Sequence, residues 1–168
     1  MQGRRVFAGL VVALSTFVGI TAVATAGSAG SDQATACVFN TTLDPANEVR
    51  TTPNTSVASG HAQIKVRNDG TIEFKVFILN PANEDFRVGH IHGPATVEGN
   101  AGIVVDLLGG PAGGSPTTET TITLMGEGVP RATAPANIAE LLCTSPELYY
   151  VNFHTATEPS GAIRGQLG

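Results

Sequence analysis

The chain has 168 residues, a length that suggests one domain, with nine Lys and Arg against fourteen Asp and Glu and a formal net charge of −5. This acidic balance argues against binding to nucleic acid or to anionic membrane surfaces, which requires clustered positive charge. The chain has neither a Gly-x-Ser-x-Gly elbow nor a Gly-rich loop ending in Lys-Ser or Lys-Thr, so it lacks these two common catalytic and phosphate-binding motifs.

The first residues have the anatomy of a secretory signal peptide, which we predict over residues 1–26. Two arginines precede a mostly apolar run at 6–20, and small residues at 22–26 offer cleavage sites. An N-terminal membrane anchor is the alternative, but the run is short for a span of about 20 residues. The pair Arg4-Arg5 also partly fits a twin-arginine signal.

Removal of residues 1–26 would leave seven Lys and Arg against fourteen Asp and Glu, a net charge of −7. We expect the mature protein to be secreted and extracellular, without a membrane span. Residues 27–34 are small and polar, so a flexible leader is predicted over 27–36 and the folded domain over 37–168.

Short segments rich in β-branched and aromatic residues alternate with turns that contain Gly, Pro and Asn, which predicts an all-β fold, a sandwich or a barrel. Pro135, with Ile138, Leu141 and Leu142 at helical spacing, predicts one short helix near 135–143. Strands are predicted at 36–43, 60–67, 71–79, 86–92, 103–108, 118–125, 148–155 and 162–167.

Two cysteines are present, Cys37 and Cys143, and in an exported chain such a pair predicts a disulfide. The closed loop would span about a hundred residues, which corresponds to roughly 4–5 kcal/mol in the chain-entropy model. Two buried free thiols are the alternative. Lipid attachment at Cys37 is not expected, because residues 34–36 lack the large apolar side chain found upstream of lipidated cysteines.

Three of the four histidines are predicted to meet. His90 and His92 lie at i and i+2 of one strand and share a face, while His154 should point away from the core beside Asn152. If the strands are neighbours, the three converge on one outer face. Two histidines at this spacing with a third from another strand suit copper or zinc. The fourth, His61, is expected to be merely exposed.

A hydrogen-bond network at the rim of the sandwich is the alternative to a metal site, with the histidines joined by Asn152, Thr155 and Arg164. Asp106 is the one acid in an apolar strand. We expect it to be an outward residue at a sheet edge, or else a partner for a histidine or for Arg164. The last strand should pair with 148–155 as an antiparallel hairpin.

Alternation along that last strand predicts Ile163 and Leu167 in the core, with Arg164 and Gln166 on the opposite face. Arg164 should then lie near Asn152 or His154 across the hairpin.

Two segments of the chain resemble the CHRD (chordin-type) family closely, and the resemblance extends over roughly 37–168. The matching motifs are Gly-His-Ile-His-Gly-Pro at 89–94 and Tyr-Tyr-Val-Asn-Phe-His-Thr at 149–155, the second followed by Pro-Ser-Gly-Ala-Ile-Arg-Gly-Gln-Leu at 159–167. Ala162 stands where the family often has Glu, and Phe153 where it often has Val. The resemblance implies an extracellular, immunoglobulin-like, Greek-key antiparallel β-sandwich, with no established catalysis.

A weaker resemblance is to Cu/Zn superoxide dismutase, in which His90, His92 and His154 would match copper ligands. Gly-Asn-Ala-Gly at 99–102 is also similar, but lies between these histidines rather than after them. No bridging histidine or zinc-ligand cluster follows His92, so a dinuclear site is not expected.

Two functions are therefore open. The first is a non-enzymatic extracellular binding or structural module, whose partner would be an unidentified extracellular protein or surface ligand. The second is copper binding by His90, His92 and His154, with copper as the possible cofactor.

Overall fold

The computed structural model describes residues 35–168, and the signal peptide predicted at 1–26 lies outside the described residues, as does most of the leader predicted at 27–36. The described chain contains nine strands, one α-helix and three short 3₁₀ turns. The strands and the helix are β1 Thr35–Leu43, β2 Ser59–Arg67, β3 Ile72–Leu79, β4 Phe86–His92, β5 Ile103–Leu108, β6 Thr121–Glu127, β7 Val129–Pro130, α1 Ile138–Thr144, β8 Tyr150–Thr155 and β9 Ile163–Gln166.

The strands form two antiparallel sheets. One has the order β1-β2-β3-β6 and the other the order β7-β5-β4-β8-β9. The apolar faces of both sheets contribute to one core, with Ile64 and Val76 from the first sheet and Ile91, Val151 and Phe153 from the second. The predicted all-β sandwich with one short helix is thus confirmed.

The alternation of side chains along each strand determines which residues form this core. In β2 and β3 every second residue is buried, because β-strand side chains point to opposite faces in turn. In β4 the core side carries Gly89 and Ile91, and a side chain at Gly89 would collide with the ring of Phe153. Close packing of the two strands therefore requires glycine there.

A disulfide joins the first strand to the helix. Cys37 and Cys143 are bonded, with Cα atoms 5.7 Å apart, which confirms the predicted pairing over the free-thiol alternative. α1 begins at Ile138, three residues after Pro135, and buries Ile138 and Leu142 against the core.

β8 and β9 form the predicted hairpin, with Asn152 opposite Arg164. Ile163 and Leu167 are buried, as expected. The other face of this sheet was expected to be open to solvent, and this was wrong, since Arg164 is only 1% exposed. The chain between β1 and β2 and the chain between β4 and β5 cover this face, and both hydrogen-bond to β9.

The boundaries differ from the prediction mainly around β6 and β7. β6 begins three residues later than expected, and the two-residue β7 at the edge of the second sheet was not predicted. β7 contains Pro130, a residue that sheets tolerate at an edge and that gives no strand signal. Within residues 35–168, no helix has the length and hydrophobicity to cross a membrane.

Candidate metal centre

His90 and His92 on β4 and His154 on β8 form a buried group, which we call the three-histidine cluster. The strands are adjacent and antiparallel, so that His90 and His154 are diagonal neighbours across the ladder. One ring nitrogen from each histidine lies within 4.8 Å of the other two. The residues are 6%, 8% and 8% exposed, respectively. The sequence prediction that they converge is confirmed, whereas their burial was not expected.

His92 is held by the loop that follows its strand. Its Nδ1 lies 3.0 Å from the backbone oxygen of Ala101, which can only accept a hydrogen bond. Nδ1 therefore carries the proton, and Nε2 has a lone pair. Nε2 is buried and has no hydrogen-bond partner. Tyr150 stacks flat on the imidazole, with ring centroids 5.0 Å apart, and fixes its plane.

His154 is oriented in the same way from the other strand. Its Nδ1 lies 3.1 Å from the backbone oxygen of Pro159, so Nδ1 donates and Nε2 has the lone pair. This Nε2 points at Nδ1 of His90, at a distance of 3.2 Å.

His90 has two neighbours that one neutral imidazole cannot satisfy together. Its Nδ1 faces the lone pair of His154, and its Nε2 lies 3.5 Å from a carboxylate oxygen of Asp106. A proton on Nδ1 leaves a lone pair against the carboxylate, whereas a proton on Nε2 leaves two lone pairs facing each other. Either a second proton or a cation between His90 and His154 removes the conflict.

The second proton is disfavoured at neutral pH. Burial, helped by the neighbouring histidines His154 and His92, lowers the pKa of His90 to about 3. Burial likewise lowers the pKa of His154 to about 4 and also lowers the pKa of His92. The three imidazoles are therefore neutral at pH 7, which is the form that binds metals.

Asp106 lies on β5, opposite His90 on the neighbouring strand β4. It is fully buried, and Arg131 forms a two-pronged pair with it, at 2.5 Å from Nη2 to Oδ1 and 2.7 Å from Nε to Oδ2. The expected exposed position at an edge is thus wrong, because the short strand β7 and Arg131 cover β5. The alternative role, as a partner for a histidine, fits the 3.5 Å approach to His90. Nothing in the sequence pattern pointed to Arg131.

A second layer of polar groups surrounds Arg164. Its guanidinium lies 3.5 Å from the centre of the Tyr150 ring and donates to Asn100 and to the backbone oxygen of Thr96. Arg164 thereby connects the loop between β4 and β5, which contains Thr96 and Asn100, to β9. Tyr150 links the two layers, because its other contacts are the His92 ring and the backbone of residue 101.

Glu48, which the sequence analysis did not single out, lies in this second layer. Its Oε2 accepts a hydrogen bond from Asn152 at 3.1 Å, and its Oε1 is buried without a partner. Burial raises the pKa of this carboxyl to about 7, against the opposing effects of Asn152, Arg164 and Arg50. Asn152, a predicted network residue, is buried and bonds to Glu48 rather than to a histidine.

The outer hydrogen bonds of the cluster match those of known metal-binding histidines. Such ligands almost always donate the second ring N–H to a carboxylate or a backbone carbonyl, which orients the lone pair towards the ion. Two of the histidines use backbone carbonyls, and the third faces Asp106. His61, the fourth histidine, is exposed on the other sheet, as predicted.

Comparisons with known proteins support the resemblance seen in the motifs. No curated protein and no solved structure matches the chain, so the weaker resemblance to Cu/Zn superoxide dismutase stays a prediction. The family model of the CHRD domain matches residues 39–167, which include all of the second sheet, most of the first and all three histidines of the cluster. The chain therefore belongs to the CHRD domain family.

Proposed function

We propose that this protein is an exported domain that binds one copper ion in the three-histidine cluster. The observation that carries the proposal is the approach of two ring nitrogens, Nδ1 of His90 and Nε2 of His154, to 3.2 Å. The partners on the far side of each ring favour lone pairs on both. A third lone pair, on Nε2 of His92, lies beside them, buried and without a partner.

A metal ion accounts for this arrangement better than a purely structural network does. A structural network gains its stability from satisfied donors and acceptors, and an unsatisfied buried group costs about 1–3 kcal/mol. None of the hydrogen bonds of the cluster within residues 35–168 goes to Asn152, Thr155 or Arg164, the side chains that such a network was expected to use. Nδ1 of His90 and Nε2 of His154 contact only each other, and Nε2 of His92 has no hydrogen-bond partner.

The ligand type favours copper. The cluster offers three neutral imidazole nitrogens, and no cysteine, aspartate or glutamate among the described residues shares it. Imidazole suits copper and zinc, and among divalent ions copper binds more tightly than zinc to a given set of nitrogen ligands. Zinc is therefore the main competitor, and calcium and magnesium, which prefer oxygen ligands, are disfavoured.

Burial of the site supports binding rather than turnover. All three histidines are less than a tenth exposed. The loop between β4 and β5 contacts His92 through Ala101, and the connection between β8 and β9 contacts His154 through Pro159. Such a closed site suits retention of an ion more than exchange of a substrate. Export is supported by the signal-like residues 1–26 and by the disulfide between Cys37 and Cys143, since disulfides persist in oxidising compartments.

The test is metal analysis of the full chain, expressed without a tag, exported by its host and purified from the exported fraction. Intact mass should show loss of the N-terminal segment, and elemental analysis should find close to one copper per chain after dialysis against a weak chelator. His92→Gln and His154→Gln should each weaken copper binding by more than about a hundredfold, because each removes a directly bound ligand.

His61→Gln is the matched control, since it removes an exposed histidine on the other sheet. Copper binding that survives both cluster variants, or that is lost equally in the control, would contradict the proposal. Circular dichroism of each variant separates loss of a ligand from loss of the fold.

A further inference from the structure

We infer that the three-histidine cluster selects monovalent copper, Cu(I), over the divalent ions Cu(II) and Zn(II). The inference rests on the proposed copper site and adds the oxidation state of the ion. It follows from the charges around the cluster, which leave a bound dication without a compensating anion.

The inner ligands carry no charge. All three are imidazoles, so a bound ion keeps its full formal charge in a buried site. Asp106 is the nearest carboxylate, but both of its oxygens are paired with the guanidinium of Arg131. Its negative charge is thus already balanced by a cation at hydrogen-bond distance, and it faces the outer nitrogen of His90 rather than the centre of the cluster.

The second layer adds positive charge. Arg164 is buried and lies over Tyr150, whose ring in turn stacks on His92. The nearby carboxylate that could balance it is Glu48, whose pKa is about 7, so that this group is only partly ionised at neutral pH. The guanidinium of Arg164 is thus separated from His92 by one aromatic ring, and its positive charge repels an ion bound at the cluster.

The charge of the ion determines how strongly these surroundings disfavour its binding. The desolvation cost of an ion rises with the square of its charge, so it is about fourfold larger for a dication than for a monocation of similar size. Repulsion from the guanidinium of Arg164 doubles as well, whereas the paired charges of Asp106 and Arg131 largely cancel. A site with anionic ligands would offset both costs, and this one has none among the described residues. Three imidazoles also suffice for Cu(I), which accepts a low coordination number.

The test measures equilibrium binding of each ion separately to the full mature chain. Cu(I) is titrated without oxygen against bicinchoninate, Cu(II) against nitrilotriacetate and Zn(II) against a colorimetric zinc chelator. We expect the Kd for Cu(I) to be at least about tenfold below the Kd for either dication.

Arg131→Gln adds a second measurement. It removes a cation whose side chain is 37% exposed and leaves Asp106 to act on the cluster with its full charge. Cu(II) binding should then tighten by at least about tenfold relative to Cu(I). Arg87→Gln, at an exposed pair with Asp85, is the control and should leave this ratio unchanged.

The outcomes separate the inference from the proposed function. Tighter binding of Cu(II) or Zn(II) than of Cu(I) by the unmodified protein would overturn the selectivity, whatever the variants do. Absence of binding for every ion would instead overturn the copper site itself. If Arg131→Gln folds and leaves the ratio of Cu(II) to Cu(I) binding unchanged, the electrostatic explanation is wrong.

Discussion

Replacement of Arg164 by methionine tests whether the buried guanidinium holds the covering loop in place. Arg164 is 1% exposed, and methionine has a similar length and apolar stem, so the change removes the charge with little change in volume. The lost interactions are the hydrogen bonds to Asn100 and to the backbone of Thr96, at 3.1 and 3.2 Å, and the stacking on Tyr150.

The loss in the free energy of unfolding can be worked out from these contacts. A hydrogen bond to a charged group contributes about 1.5–3 kcal/mol, and removal of one member of a buried charge network typically costs about 3–5 kcal/mol. Part of this loss is offset, because the guanidinium no longer has to be desolvated. We expect Arg164→Met to lower the free energy of unfolding by about 3 kcal/mol, a large fraction of the 5–15 kcal/mol typical of whole domains.

Urea denaturation of the metal-free protein, followed by circular dichroism, measures this difference. The free energy of unfolding typically falls by about 1–3 kcal/mol for each 1 M increase in urea. The urea concentration at the midpoint of unfolding should therefore fall by about 1–3 M. The control is Arg87→Met, since Arg87 is paired with Asp85 at the surface and its side chain is 58% exposed. That change should cost less than about 1 kcal/mol. A loss below 1 kcal/mol for Arg164→Met, matching the control, would refute the role assigned to this residue.

Two further predictions concern stability. Replacing Cys37 and Cys143 together by alanine should lower the free energy of unfolding by about 2–5 kcal/mol, because the closed loop is long, and an unchanged urea midpoint would contradict this. Glu48 has a pKa of about 7 in the folded chain against an ordinary value of 4.5, so its folded form binds the proton more tightly, and its contribution to stability falls as the pH rises from 4.5 to 7. Glu48→Gln should therefore be more stable than the unmodified protein at pH 8, by up to about 3 kcal/mol, but not at pH 4, and parallel pH curves for the two proteins would count against it.

The faces of the strands could be predicted from the sequence, and with them the convergence of the histidines. Alternation has a period of two, so His90 and His92 had to share a face, and the apolar residues Val151 and Phe153 determined which face of β8 carries His154. The hairpin of β8 and β9 followed from the short connection between them. These are local rules, and they hold because both strands bury one strongly apolar face.

Burial of the opposite face could not be predicted in this way. It depends on the chain between β1 and β2 and the chain between β4 and β5, which have no periodic pattern and are held by hydrogen bonds to residues far away in the sequence. For the same reason, the sequence did not indicate the roles of Arg131 and Glu48. Arg131 follows a two-residue strand, and Glu48 lies more than a hundred residues from its partner Asn152.

The distribution of unsatisfied atoms connects this covered face with function. Within residues 35–168, four buried side-chain atoms lack a hydrogen-bond partner, and three of them, on Glu48, His92 and Asn152, lie on the polar face of the second sheet. Buried polar groups in native proteins are almost always paired, and exceptions need a physical reason. Imperfect packing would scatter such atoms over the molecule. The atom on His92 belongs to the three-histidine cluster, and those on Glu48 and Asn152 lie in the adjoining layer around Arg164. Because a ligand atom that is already paired within the protein is not free to bind an ion, the unpaired Nε2 of His92 supports the proposed copper site.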